Sequence, residues 1–349
     1  MTPIEAFQSQ VDYCVANDAP ITAAIVAAIA AGVTAETVTG AKILGWTGNA
    51  MFDALPLRIV GGVHHLWRKG LVSELAGLFD GSGTPERNAL AMRDVLAKHD
   101  AALLPWLDSP PQTNEPGRSA TLMTGLLEIV ARHGPKLEIL EIGSSAGLNL
   151  LIDHFRIDLP GISTGPSDST VRLTPEWRGS RPPAVALEIV GIRGVDIAPV
   201  DATTEVGADR LLAYCWADHT QRFERLGHAL TMLKANPPLL DQGDAPDWVE
   251  ARLAEPQDAE PQDDGVTRVL MHSIVWTYIA PGGQARITAA MEAAGARATS
   301  ERPLAWVSVE ADRNVHQHVL MIRSWPGHGE AVVIGRAHVH GFWVERRGN

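Results

Sequence analysis

Residues Leu137–Leu150 read LEILEIGSSAGLNL. Leu137, Ile139, Leu140 and Ile142 make an apolar run of strand length, and apolar residues with helical character follow Gly147. The stretch therefore reads as a buried strand, a glycine turn and a helix start. Gly143 and Gly147 carry no Cβ, which lets a ligand come close to the backbone between them. The helix start beyond the turn offers N–H groups with no intrahelical partner. In open α/β sheets, ligands bind at such carboxyl ends of strands.

Upstream of this strand the chain reads as helix. Ile4, Phe7, Val11 and Cys14 recur at helical spacing, and Asp18 and Pro20 suit the cap and first turn of a second helix. Further helical patterns lie around 40–55, 59–69 and 85–100, separated by glycine-containing turns. This predicts a helical N-terminal domain over 1–108 and a second domain over 109–349. Residues 109–118, SPPQTNEPGR, are a loop by composition. The loop concentrates Gln112, Thr113, Asn114, Glu115 and Arg118 just before the helix that leads into the strand, so it reads as a solvated linker or as a polar lid beside a ligand site.

Downstream, strand and helix alternate. Strands are expected within Ala184–Ile197, Pro238–Asp244, Arg268–Val275 and Leu304–Glu310, and helices over Leu148–Phe155, Leu211–Lys234, Asp247–Leu253 and Pro281–Ala294. Val315–Trp325 and Ala331–Glu345, joined by Pro326-Gly327-His328-Gly329, read as a terminal hairpin. Residues 156–183 read as an inserted hairpin or loop lying over the site, and the tandem AEPQD within 254–265 as a mobile acidic loop. Alternation implies an α/β fold with a mostly parallel sheet and right-handed crossovers, and the closing pair adds antiparallel strands.

Composition narrows the function. The chain has 349 residues, 45% hydrophobic and 20% charged, which is enough for one large domain or two modest ones. A net charge of −12 argues against nucleic acid as the main partner. Cys14 and Cys215 form no CxxC and suit a reducing cytoplasm. The N-terminus has no signal-peptide pattern, and Ile21–Val33, the most apolar run, is too short to cross a bilayer. The expectation is a cytoplasmic protein that acts on a small molecule without membrane or nucleic-acid partners. Its oligomeric state is left open.

The turn lacks the lysine of a GxxxxGK[ST] loop and the middle and last glycines of GxGxxG. A cofactor without phosphates needs only close backbone approach and polar anchors. From Glu141 to Gly147 the chain reads ExGxxxG, which resembles the adenosylmethionine-binding turn of class I methyltransferases. The resemblance implies a Rossmann-like sheet, S-adenosylmethionine as cofactor and methyl transfer to a small molecule. It implies cofactor contacts at Glu141 near the methionine ammonium, and at Gly143, Ser145, Gly147 and Asn149 in the turn. It further implies Asp196 on the ribose, and Asp244 and Ala245 near the adenine. Residues 156–183 separate Asp196 from the turn by more than the usual class I spacing, so Asp201 is its rival.

Several segments also resemble, in order from about residue 55 to the end, a bacterial family of unknown function that is assigned a methyltransferase-like fold. They are QTNEPGRSA, LEIGSSAGLNLLIDHF, GVDIAPVDAT, GDAPDWVEARL, HSIVWTYIAP and GRAHVHGFWVE. That resemblance adds His272 and Glu115 as candidates for proton removal, and Gln112, Asn114, Arg118 and His340 as substrate or lid residues.

Two other readings share these residues. Gly143-Ser144-Ser145-Ala146-Gly147 satisfies GxSxG, the nucleophile elbow of α/β-hydrolases, with Ser145 as nucleophile, Asp241 or Asp244 as acid and His338 or His340 as base. A hydrolase requires strands and an oxyanion loop before the elbow, where this chain reads as helix. A non-catalytic binding protein on the same fold is the other. The HxH pairs His316/His318 and His338/His340 each put two rings on one strand face, and His64-His65 read as helix packing. No metal site is expected, since zinc asks for three or four supported ligands. Trp276, Tyr278, Trp306, Trp325 and Trp343 are expected mostly in the core.

Overall fold

The computed structural model describes residues 1–255, 265–312 and 317–348. The acidic loop expected at 254–265 and His316 therefore lie essentially outside the described residues. The chain divides into two compact units, Met1–Thr113 with Thr204–Glu224, and Asn114–Thr203 with Arg225–Asn349.

The first unit is helical. Helices Pro3–Ala16, Pro20–Gly32, Leu55–Arg68 and Pro85–Lys98 each carry proline in the first turn, where the missing N–H is not needed. Phe7, Ile25, Ile29, Ile59 and Met92 close over one another in its core. The unit ends at Thr113, later than residue 108, and it regains Thr204–Glu224 from the middle of the expected second domain. Helix Glu205–Ala213 packs on Leu55–Arg68, where Asp209 pairs with His65 and, at 2.8 Å, with Arg68. The single helix expected over Leu211–Lys234 is two helices, Glu205–Ala213 and Thr220–Ala235. The break frees Asp218, whose carboxylate accepts the N–H groups of Ile21 at 2.7 Å and Thr22 at 2.9 Å. It thereby caps helix Pro20–Gly32, whose own N-cap, Ala19, has no side chain for the task.

The second unit is built on a nine-stranded sheet. Its strands are β1 (Lys136–Ile142), then a small excursion β2 (Arg156–Leu159), β3 (Ile162–Thr164) and β4 (Arg172–Leu173), then β5 (Glu176–Gly179), β6 (Glu188–Asp196), β7 (Leu240–Gln242) and β8 (Val266–Ser273). β9 (Leu304–Asp312), β10 (Gln317–Trp325), β11 (Val332–Ala337) and β12 (Trp343–Arg346) complete the series. The main sheet runs β5-β12-β11-β10-β9-β8-β1-β6-β7. Strands β7, β6, β1, β8 and β9 are mutually parallel, and β1 lies inside the sheet as its apolar run requires. Among the described residues no strand precedes Lys136.

The chain winds from β1 outward to β6 and β7, then crosses back to β8 and β9, so the direction of winding reverses between β1 and β8. Helix Arg118–His133 packs on one face, against β8, β9 and β10. On the other face Leu140, Ile142, Leu270 and Trp306 pack with Ile287 and Met291 of helix Pro281–Gly295. Side chains alternate along each strand, so Glu141 faces the first layer and His272 the second.

The expected terminal pair is present as antiparallel β10 and β11, and it continues into β12, because Ala331–Glu345 breaks at His338–Phe342, where Gly341 takes φ +72°. Residues 156–183 hold the expected inserted hairpin, since β2 and β3 pair antiparallel. β2, β3 and β4 form a sheet of their own, and β5 joins the main sheet parallel to β12.

Candidate functional site

The turn after β1 is held by its neighbours. The N–H groups of Gly143 and Ser144 donate to the Val195 carbonyl at 2.9 and 3.1 Å. Gly143, Ser145 and Gly147 all take left-handed backbone, with φ of +68°, +55° and +81°. For Ser145 this conformation is uncommon, and Asp196 at the end of β6 supports it by accepting the Ser145 N–H at 2.8 Å. The other oxygen of Asp196 accepts the Ala198 N–H at 2.9 Å. Leu148 donates its N–H to the Asn114 side chain at 2.7 Å, and the Ser119 hydroxyl donates to Asn149 at 2.8 Å.

The glycines are needed for a reason different from the one the sequence suggests. A Cβ on Gly143 would lie 2.3 Å from Val275 Cγ2, and one on Gly147 would lie 2.7 Å from Pro238 Cγ. The space opened by these missing side chains is occupied by the protein's own residues.

Beneath the turn, Glu141 is 1% exposed and its Oε2 has no hydrogen-bond partner among the described residues. Burial pushes its carboxyl up to about 7, against opposing hydrogen bonds from Ser144 and Asn149, with Asp196 adding to the rise and Arg118 opposing it. The buried Ser145 hydroxyl likewise has no partner among the described residues.

On the opposite face, His272 ends β8. It is 1% exposed, its Nδ1 lies 2.7 Å from Glu310 Oε1, and its ring stacks on Trp276 at 5.2 Å. Trp306 stands tilted beside it at 5.9 Å. Glu310 Oε1 also accepts the N–H groups of Val275 and Trp276 at 3.1 and 3.3 Å. Burial works to raise the Glu310 carboxyl, but His272 and the two N–H groups outweigh it and hold the carboxyl below its ordinary range. Between the two strand ends, Ile274 takes φ +53°, a strained value for a β-branched residue. Nε2 of His272 and Oε2 of Glu310 are buried without hydrogen-bond partners among the described residues.

Asn114, Glu115 and Arg118 are buried. Glu115 accepts from Arg225 at 2.7 Å and from the Gly117 N–H at 2.9 Å. Arg118 donates to the Val339 carbonyl at 3.0 Å and Arg225 to the His340 carbonyl at 3.2 Å, so the loop around His340 is tied to this segment. Gln112 falls in the helical unit.

Asp244 is exposed at the N-cap of helix Ala245–Ala254 and makes no side-chain cap. Asp241 is committed to Arg193 at 2.7 Å through both oxygens and to the Trp248 indole at 2.7 Å, which removes it as the acid of a hydrolase triad. Asp201 accepts the Thr203 N–H at 3.1 Å within its own loop. His338 Nδ1 accepts the His340 N–H at 3.1 Å. Among the described residues no group of three or more metal-ligating side chains comes together.

Sequence reasoning did not single out Glu310 or Val275. An acid closing the apolar run Leu304–Val309, one strand away from His272, was the signal available for Glu310. A cavity of about 640 Å³ opens elsewhere in this unit, lined by Met123, Asp153, Gly161–Gly165, Ala184–Leu187 and Ile189, and it includes none of the turn residues.

A family model described as "Uncharacterized protein conserved in bacteria (DUF2332)" matches residues 4–346. No curated protein and no solved structure matches the chain.

Proposed function

The chain belongs to the DUF2332 family, whose description names no activity, and we propose that it binds S-adenosylmethionine at the carboxyl ends of β1, β6 and β8 and methylates a small molecule. One observation carries this reading. Glu141 Oε2, Ser145 Oγ, His272 Nε2 and Glu310 Oε2 are buried without partners among the described residues, and all four lie at or just beyond the ends of adjacent parallel strands. Each such atom costs about 1–3 kcal/mol unless something satisfies it, so these atoms, Glu141 on one face of the sheet and His272 and Glu310 on the other, suit a polar ligand that spans the strand ends at the topological switch point.

The donors and acceptors fit this cofactor. Because Val275 and Pro238 fill the space beside Gly143 and Gly147, its amino-acid portion would lie against Glu141, Ser145 and Asn149. Asp196 uses one lone pair on each oxygen for the turn and keeps others for ribose hydroxyls. Asp244 and the Ala245 N–H would meet the adenine edge. When bound, the cofactor supplies an electrophilic methyl group. The protein's part is to hold both reactants in line and exclude water, and positioning of this kind accounts for about 7–11 kcal/mol of barrier in the best cases.

The hydrolase reading keeps one favourable observation, the left-handed Ser145 at φ +55°. It weighs less because Asp241 is committed elsewhere and no strand precedes β1 among the described residues. A fluorophosphonate that labels Ser145 stoichiometrically would reverse that judgement.

Titration calorimetry with adenosylhomocysteine tests the proposal. Asp244→Ala is the informative variant, because its side chain makes no cap and its loss should leave melting unchanged. A charge-assisted hydrogen bond is worth about 1.5–3 kcal/mol, so affinity should fall roughly 10–100-fold. Asp196→Ala should weaken binding and stability together, since it also releases Ser145. Absence of binding to the wild type at about millimolar ligand overturns the reading.

A further inference from the structure

We propose that Glu310 positions His272 as a proton acceptor, so that the group methylated at this site is one that must lose a proton, an O–H or N–H nucleophile. The substrate class rests on the methyl-transfer reading above, whereas the His272–Glu310 arrangement stands on its own geometry.

Glu310 Oε1 faces His272 Nδ1 at 2.7 Å, the Val275 N–H at 3.1 Å and the Trp276 N–H at 3.3 Å. Backbone N–H groups can only donate, so this oxygen is an acceptor, and His272 meets it with a proton on Nδ1. A neutral imidazole with Nδ1–H has its lone pair on Nε2. Nε2 is the buried atom for which the described residues offer no partner. Trp276, stacked with 16° between the ring planes, fixes the orientation of the imidazole and covers one of its faces.

The proton step then balances within the chain's own groups. The X–H bond of the acceptor breaks and its electron pair stays on X. The proton forms a new N–H bond at Nε2, and the positive imidazolium stands against the Glu310 carboxylate. A nucleophile with no proton to lose, such as a thioether, gains nothing from such a base.

A second histidine–carboxylate pair is built differently. His65 meets Asp209 in the helical unit, but Asp209 shares its charge with Arg68 at 2.8 Å and Lys69 at 3.9 Å, so it serves an ion cluster.

Nitrogen-15 labelling of histidine in the full chain tests this, with His272→Gln used to assign the signals. Long-range proton–nitrogen correlation near neutral pH should show His272 with its proton on Nδ1 and a bare Nε2. The Nδ1 proton should resonate far downfield, as expected of a donor to a carboxylate. Glu310→Gln keeps the shape and removes the charge, so that resonance should move upfield. A wild-type His272 protonated on Nε2 overturns the proposal, and so does a Glu310→Gln variant in which the Nδ1 resonance does not move. Should that variant fail to fold, the wild-type tautomer still decides. The expected tautomer without adenosylhomocysteine binding would leave the base in place and refute methyl transfer instead.

Discussion

Glu141 shows how one side chain links the fold to acidity. Its ordinary value is 4.5, and burial pushes it up to about 7 in the folded protein. Between those values the folded chain keeps a proton that the unfolded chain has released. The contribution of the protonated carboxyl to stability is therefore complete below about 4.5 and is lost as pH rises toward 7, by up to about 1.4 kcal/mol per unit. Glu141→Gln cannot ionise. Urea unfolding at about pH 5 and about pH 8 should show a smaller loss of stability in the variant than in the wild type, by on the order of 2–3 kcal/mol. Equal losses would mean that Glu141 is not the group responsible. The sequence marked this residue through its place before the glycine turn, and the turn itself through Gly143 and Gly147. It could not show that Val275 and Pro238 fill the space beside those glycines, because both come from distant parts of the chain. Steric exclusion between such segments leaves no periodic trace.

Among whole elements, the parallel strands were the most legible. β1, β8 and β9 coincide with apolar runs bounded by glycine, proline or acid, as burial on both faces requires. The closing strands were less so, since a bend at His338–Phe342 interrupts a run that alternates well on either side. The break between helices Glu205–Ala213 and Thr220–Ala235 was hidden for a similar reason. Asp218 leaves helical register to cap Pro20–Gly32, and its partners Ile21 and Thr22 lie nearly two hundred positions away. Asp218→Ala should destabilise the helical unit by about 1–2 kcal/mol, the usual worth of a side-chain cap. The urea midpoint, followed by circular dichroism, should fall accordingly. An unchanged midpoint would show that water replaces the carboxylate without loss.

For the molecule as a whole, the decisive feature is that the helical unit comes from two separate pieces of chain, Met1–Thr113 and Thr204–Glu224. The second piece buries Leu211, Ala213, Tyr214 and Cys215, and its Asp209 and Asp218 engage Arg68 and Thr22. Burying one leucine-sized side chain is worth about 1.5–3 kcal/mol, a large share of a domain's net stability. A fragment of residues 1–113 should therefore unfold without a cooperative transition, and joining residues 204–224 to it through a flexible linker should restore one. Cooperative melting of the short fragment alone would contradict this. The same arrangement sets a timetable during synthesis. Strand β1 leaves the ribosome before the helical unit has received its last piece, and that piece arrives before β8 exists to pair with β1. For that interval the nascent chain carries two unfinished cores at once, and neither can close before the ribosome has moved well past residue 200.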